Sequence, residues 1–530
     1  MATAPPDTLL DTLLGSRFLI AFDGEELPDD VRRVVADRLV SGVTLFRARN
    51  MNSPAQLRWL TAALQAALPD GEPPLLIGAD QEGGQLQAIG EGATAWPGNL
   101  ALGATGDREL AQAVGRAIGT ELLAMGINLA LAPVCDLLSR SSATVLGTRT
   151  FGDDPRQVGA LAAAMVRGLQ STGAAAAVKH LPGHGTATGP DPHHGLPVAS
   201  ALADEAEHHL SAFGPAIRAG AKAALLGHLA VPSLTHGDVT PASLDGAVVR
   251  LVRERLRFRG VTITDALDMG ALGPHQALPE LALAAVAAGV DLLLTVHRLP
   301  LVDEARARLV AAARSGRLDD GQLRPSARRI RTMRRRLSHL EQPSLARVGC
   351  VEHGELARRV AERAVTLVRD RGALLPLLVE APLTVLEPRP VDLTPAETSS
   401  IVRTGLADAL VERGAVVSRL ELPLDPSLEE AASLAAAVAS DASVLVATLD
   451  ACNHSGQAYL VEQLVAMGCR TVAVALRTPY DLDAYPMVGT FATAYGVQPP
   501  NQAALADALL GRIAFSGHMP VRIAAAQGER

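Results

Sequence analysis

Residues 174–197, AAAAVKHLPGHGTATGPDPHHGLP, decide how this chain is read. The apolar run Ala174–Val178 has the character of a strand buried on both faces, and after His180 glycine, proline and histidine replace every helical or strand periodicity. A buried strand here delivers a loop. That loop carries His180, His184, Asp191, His193 and His194, in a chain with 14 histidines among 530 residues. Asp191 and His193 flank Pro192, and a bend there brings carboxylate to imidazole as a proton-transfer pair.

Working outward, seven more short apolar runs resemble Ala174–His180: Phe18–Phe22, Val43–Phe46, Leu75–Asp80, Ile127–Pro133, Ala223–His228, Val261–Asp265 and Val290–Thr295. Helical spacing occupies Pro54–Leu68, Asp107–Met125, Pro155–Ser171, Asp204–Ala219 and Ala242–Leu256 between them. Short, wholly apolar strands alternating with helices predict a parallel sheet covered on both faces, and eight such units predict a (β/α)8 barrel. Asp80, His180, His228 and Asp265 each close a predicted strand, with Asp136 shortly after the fourth. In a barrel these positions converge on one rim, where active sites are built.

After Arg298 the pattern gives way to helices, one from Leu301 and one over Pro325–Leu337, and then to a linker rich in serine and proline. A helix over Val351–Ala364 follows, then a turn at Arg371 and Gly372 with a strand or coil that Pro376 stops. Strands at Leu383–Glu387, Val416–Leu420, Ser443–Leu449, Thr471–Leu476 and Thr490–Ala494 alternate with helices at Leu428–Val438, Gly456–Met467 and Gln502–Leu510. The expected architecture is a barrel over 1–340, a linker over 341–350 and a three-layer α/β/α sandwich over 351–530. The second unit has neither a GxGxxG turn nor a P-loop, so no cofactor is assigned.

The chain is 48% hydrophobic and 20% charged with net charge -8, which argues against nucleic acid as a partner. The arginine run 328–336 is interrupted by Ile330 and Met333 in the manner of a helix surface. The first twenty residues lack a basic region before an apolar run, and no uncharged apolar window of about twenty residues occurs. Cys135, Cys350, Cys452 and Cys469 show no CxxC spacing. These features predict a cytoplasmic chain with reduced cysteines and no membrane partner, as monomer or homodimer.

Asp265 ends a buried strand and faces the barrel mouth, a placement suited to a nucleophile, whereas Asp268 reads as a first-turn charge. Glycoside hydrolysis requires one group to attack the anomeric carbon and another to move the proton, and His193 with Asp191 meets the second need. Asp80 is suited to two vicinal sugar hydroxyls, the glycines after Glu82 to close approach of backbone to ligand, and Arg149, Lys179 and His180 to donation. The same histidines with Asp191 and Asp265 are zinc-type ligands, although no HExxH or strand-end HxH is present, and the reading without a metal is preferred. An imidazole acid/base also suits transfer to phosphate, and a catalytically inactive sugar-binding protein is the alternative outside enzymes. Asn453, His454 and Ser455 lie in a loop after Leu449 that is either the second unit's reach to the barrel mouth or an ordinary surface loop, and the surface loop is the preferred reading.

Seven segments occur together and in order: GVTLFRARN (Gly42–Asn50), DQEGG (Asp80–Gly84), NLALAPVCD (Asn128–Asp136), GTRTFGDDP (Gly147–Pro155), KHLPGHG (Lys179–Gly185), DPHHGLP (Asp191–Pro197) and TDALDMGAL (Thr264–Leu272). On these the sequence resembles glycoside hydrolase family 3, in its β-N-acetylglucosaminidase (NagZ-like) branch. The later segments ERAVTLVRDRGALLPL, VALRTPYDLDAYP and GRIAFSGHMPV resemble the family's second domain. The resemblance implies a retaining hydrolase that releases terminal non-reducing β-linked N-acetylglucosamine from oligosaccharides or muropeptides, as in peptidoglycan recycling. It implies Asp265 as nucleophile, His193 as general acid/base assisted by Asp191, and Asp80, Arg149, Lys179, His180 and His228 around the sugar. A β-glucosidase or a β-glucoside or β-N-acetylglucosaminide phosphorylase of the same family is the alternative. Where the family commonly has arginines after DQEGG this chain has Gln85 and Ala88, and Ala266 replaces the acidic or polar residue that often follows the nucleophile.

Overall fold

The computed structural model describes residues 6–526, apart from 186, 200, 201, 236, 274–276, 339, 340 and 441, with side chains from residue 10 onward. The expected end of the barrel at residue 340 therefore lies outside the described residues.

Eight parallel strands form the first sheet: β1 (Phe18–Ile20), β2 (Gly42–Thr44), β3 (Leu76–Ala79), β4 (Leu129–Ala130), β5 (Ala175–Leu181), β6 (Ala223–Leu226), β7 (Val261–Thr264) and β8 (Leu293–Thr295). They follow one another around the sheet, β8 pairs with β1, and a bridge between Ile263 and Leu292 closes the circle. Alternation along each strand sets the two cores. Leu19, Leu76, Leu129, Ala177, Ile263 and Leu292 meet inside the barrel, while Phe18, Ile20, Val43 and Ile77 face the surrounding helices. Ile330, Met333 and Leu337, from the helix Asp320–Arg336 and its end, join the interior cluster, so the arginine-rich helix turns its apolar stripe to the barrel.

The predicted helices are present with local differences that follow from capping and proline. Asp319 accepts the Gly321 N–H and starts its helix at Asp320, leaving Pro325 inside. The stretch predicted as Asp204–Ala219 is two helices, Ala203–Ser211 and Phe213–Arg218, because Pro215 has no N–H to continue the first. Asp245 caps a helix over Gly246–Glu254, so residues 242–244 form a separate short turn.

The second sheet has six strands: β9 (Thr366–Asp370), β10 (Leu383–Glu387), β11 (Val417–Glu421), β12 (Ser443–Thr448), β13 (Arg470–Ala475) and β14 (Thr490–Thr493). Their order is β9-β14-β13-β12-β10-β11, parallel except for β9, which runs antiparallel on β14. Sequence periodicity misses β9 because TLVRD carries charge at both of its last positions. The strand lies before the Arg371–Gly372 turn, and residues 373–382 hold none. Helix Val351–Ala364 packs on the barrel-side helices Asn99–Thr105 and Arg108–Ala124, where the His353 ring meets Glu121 at 2.7 Å. All four cysteines are free of disulfides. Among the described residues no helix is long and apolar enough to cross a membrane.

Candidate active site

A cavity of about 470 Å³ opens at the C-terminal ends of the barrel strands. Asp80, Arg149, Lys179, His180, Asp191, His193 and Asp265 all line it. Seven of the eight residues singled out from the sequence thus meet in one place. The eighth, His228, does not.

Two neighbouring strand residues, Lys179 and His180, both reach the cavity although strict alternation would separate them. The pairing of β5 with β6 shifts register between Val178 and Leu181, and such an irregularity re-aims side chains. Lys179 bridges Asp80 and Glu82, at 2.6 Å from the latter, and Glu82 also takes both Nε and Nη2 of Arg149 at 2.9 Å. Burial alone would raise the Glu82 carboxyl, but Arg149 and Lys179 outweigh it and hold it down to about 2. Arg149 Nη2 also lies 3.3 Å from His180 Nε2. A guanidinium only donates, so His180 Nε2 is an acceptor and its Nδ1–H donates to Asp136 at 2.7 Å. Asp136 further accepts the backbone N–H groups of His180 and His184. Glu82 and Asp136 therefore organise the cavity wall from behind. Asp136 is one of the polar residues the sequence places on the rim, without a role there, and Glu82 follows the strand-ending Asp80 by two residues, the one signal that marks it.

The sign of the Glu82 shift gives a measurable consequence. Its folded value lies below the ordinary 4.5, so the stability it contributes is fully present above about pH 4.5 and is lost as pH falls toward 2. Glu82→Gln should flatten the loss of melting temperature across that acid range. At neutral pH it should destabilise, because Arg149 and Lys179 are left buried with less opposing charge.

His193 approaches from the loop after β5. Its backbone N–H donates to Asp191 Oδ1 at 2.8 Å and its Nδ1–H to the same oxygen at 2.7 Å. Nδ1 is thereby committed, and Nε2 is the ring nitrogen left for a ligand. Burial would raise the Asp191 carboxyl, but the two bonds from His193 lower it, so Asp191 is the anionic partner. The loop is tied to the segment after β7: Gly270 N–H donates to the His193 carbonyl at 3.1 Å and Ala271 N–H to that of Pro192 at 2.9 Å. A Cβ on Gly270 would lie 2.5 Å from the His193 carbonyl oxygen. Gly270→Ala should therefore push the His193 loop outward and lower kcat about ten- to a hundredfold, read with the melting temperature as control.

Asp265 directly follows β7, and its Oδ1 accepts the Ala266 N–H at 2.9 Å. Burial acts to raise its carboxyl, but its polar surroundings, the Ala266 N–H and the Lys179 ammonium among them, prevail and lower it, keeping it ionised. Asp268 turns away and accepts the Val296 N–H, as expected of a structural charge. His228 is a correction to the sequence reading. It is fully buried, its Nε2–H donates to the Ala266 carbonyl at 2.9 Å, and its Nδ1 accepts from Ser243 at 2.6 Å. The ring props the backbone beside Asp265 and leaves no nitrogen for sugar.

The glycines after Glu82 likewise serve the chain and not the cavity. Gly83 and Gly84 have φ of 89° and 64°, and a Cβ on Gly84 would lie 2.5 Å from Gly98 Cα. They make the turn between Gln81–Gly83 and Leu86–Gln87 against that segment. Gln85 is drawn into the same packing, accepting from Thr148 N–H at 2.8 Å, while Ala88 lines the cavity without a donor.

The second unit also reaches the cavity, by a segment other than the Asn453–Ser455 loop. Asn453 donates to Thr144 at 2.8 Å and stays on the rim. Instead Asp392, Glu397, Thr398, Ser400 and Ile401, after β10, line the cavity itself. Thr398 fixes the segment: its N–H donates to the Gln85 carbonyl at 2.7 Å and its hydroxyl accepts the Gln87 N–H at 3.0 Å. Glu397 is buried, which raises its carboxyl against the pull of Arg477 at 3.3 Å. No hydrophobic periodicity marks such a loop, so the sequence was silent on it. Among the described residues no three His, Cys, Asp or Glu side chains are grouped to hold a metal ion, and His194 is exposed outside the cavity.

Comparison with known proteins agrees with this architecture. The sequence model described as glycosyl hydrolase family 3 N terminal domain matches residues 16–333. The chain is 31% identical over 380 residues to Beta-hexosaminidase A of Pseudoalteromonas piscicida, covering 66% of this chain and 62% of that one, somewhat under two thirds of the relative's length. It is 30% identical over 511 residues to the Beta-N-acetylglucosaminidase/beta-glucosidase of Cellulomonas fimi, covering 88% and 87%. The solved structure of a glycoside hydrolase family 3 beta-N-acetylglucosaminidase from Paenibacillus sp. str. FPU-7 superposes with a TM-score of 0.88 at 34% identity, covering 97% and 98%.

Proposed function

The chain belongs to glycosyl hydrolase family 3, and on that premise we propose that it is a retaining, exo-acting β-N-acetylglucosaminidase. One observation carries the reading: His193, with Nδ1 on Asp191, lines the same cavity as ionised Asp265, and hydrogen bonds join the segments that carry them. Asp265 attacks the anomeric carbon while His193 Nε2–H protonates the departing glycosidic oxygen, giving a glycosyl ester and a neutral imidazole. The imidazole then takes a proton from water, whose oxygen attacks the same carbon and releases Asp265. Asp80, Arg149, Lys179 and His180 hold the ring hydroxyls.

We place the catalytic barrel at 1–340, the linker at 341–350 and the sandwich at 351–530. The substrates on this reading are oligosaccharides or muropeptides ending in N-acetylglucosamine, and the setting is cytoplasmic peptidoglycan recycling. Product analysis with paired aryl β-N-acetylglucosaminide and β-glucoside substrates, with and without phosphate, tests the reaction. The expected result is preferential hydrolysis of the N-acetylglucosaminide with release of the β-anomer. Equal or better turnover of the glucoside, or a sugar 1-phosphate as main product, would sink it.

A further inference from the structure

We propose that Arg47 and Asp392, one from each sheet-bearing unit of the chain, form a sugar-reading wall for the C4–C6 edge of the terminal residue. The inference rests on the glycosidase reading above and deepens it.

In a closed ring of eight strands, β3 stands opposite β7, with β2 beside it. A pyranose whose anomeric carbon lies over Asp265, after β7, therefore points its far edge across the mouth toward β3 and β2. Asp80 follows β3 there, and Arg47 follows β2. Both line the cavity, as does Ala88, which supplies no donor.

The cations of this lining differ in how they are engaged. Arg149 is held on Glu82, and Lys179 on Asp80 and Glu82. Arg47 is half-buried, makes no ion pair among the described residues, and donates from Nε to the Gln87 carbonyl at 3.3 Å. Its Nη2 is closed in against Gly90 without a hydrogen-bond partner, which leaves Nη1, bonded to nothing among the described residues, as the guanidinium's donor toward the cavity. The guanidinium packs against Gly90, where a Cβ would sit 1.7 Å from Nη2. Glycine at 90 thus makes room for a cation arriving from β2. Such a group is costly to bury unless acceptors complete it, and the acceptors a neutral sugar offers are its hydroxyl oxygens.

Asp392 supplies the reciprocal function. It accepts from Ser400 through N–H at 2.8 Å and hydroxyl at 2.7 Å, which fix the carboxylate while leaving it further acceptor capacity. A hydroxyl between the two residues accepts from Arg47 and donates to Asp392. Because Thr398 fastens the Asp392 segment to the hairpin, the wall is fixed, and a further sugar on that edge would collide with it. The second unit thereby shapes the substrate pocket without supplying the proton-transfer group.

Arg47→Ala and Asp392→Asn test this with the full chain and three substrates: the parent aryl N-acetylglucosaminide and its 4-deoxy and 6-deoxy analogues. The parent is expected to show KM raised about ten- to a hundredfold in Arg47→Ala, the size of one lost charged hydrogen bond, with a smaller change in kcat. Wild type should discriminate against at least one deoxy analogue, and Arg47→Ala should lose that discrimination, with Arg47→Lys recovering part of it. If the variants lose activity equally on parent and deoxy substrates, Arg47 and Asp392 act only on the structure and the proposal is wrong. If wild type turns over the parent yet ignores both deletions, this wall fails while the glycosidase reading stands. Absence of parent turnover by wild type removes both.

Discussion

Asp265→Ala is expected to lower kcat on an aryl β-N-acetylglucosaminide by about four orders of magnitude, the scale on which removal of an attacking group acts. The substitution deletes the atom that bonds to the anomeric carbon, and no second carboxylate follows β7 into the cavity, since Asp268 is turned to Val296. Folding should survive, because the lost hydrogen bond is to the adjacent Ala266 N–H and His228 still supports that carbonyl. Added azide should restore part of the rate by occupying the vacated space and should yield the glycosyl azide of inverted configuration. Retention of more than a tenth of wild-type kcat without azide would show that another group attacks.

His193→Ala should produce the second large loss, of about two to four orders of magnitude, but only where the leaving group needs a proton. With an alkyl or disaccharide aglycone, kcat/KM should fall by the full amount. An activated dinitrophenyl glycoside departs without protonation, so its first turnover should remain fast and the glycosyl ester should accumulate, visible as a burst of phenolate. Deglycosylation then stalls because no base takes the proton of water. The His193 side chain is 31% exposed, which makes a change in melting temperature small. Asp191→Asn should give a weaker version of the same pattern, since the amide still orients the ring but provides no charge beside it. A uniform loss over both leaving groups would rule out His193 as the proton carrier.

The parts of this site that were legible share a cause. Asp80, His180 and Asp265 each interrupt an apolar run at its end, and the barrel topology converts that one-dimensional position into a shared rim. Asp191 and His193 are close enough in sequence for their pairing to be local, and it was found as such. His228 satisfied the same strand-end rule and failed, because the rule places a residue on the rim without saying which way its ring turns. Ser243 and the Ala266 carbonyl decide that, and they come from 15 and 38 residues away. Glu82 and Thr398 escape the sequence reading, and Asp136 is placed on the rim without a role, for the related reason that their partners are distant along the chain.

The sequence by itself determined the alternation of strand and helix, the eight-strand count, the second α/β unit and the local Asp191–His193 pair, because hydrophobic period and short-range hydrogen bonding are properties of neighbouring residues. Only the tertiary structure decided that a loop after β10 closes the cavity, that Lys179 and His180 both face it, and that Arg47 comes to lie on Gly90. Those outcomes depend on register, ring closure and packing between segments tens to hundreds of residues apart, for which a linear pattern carries no term.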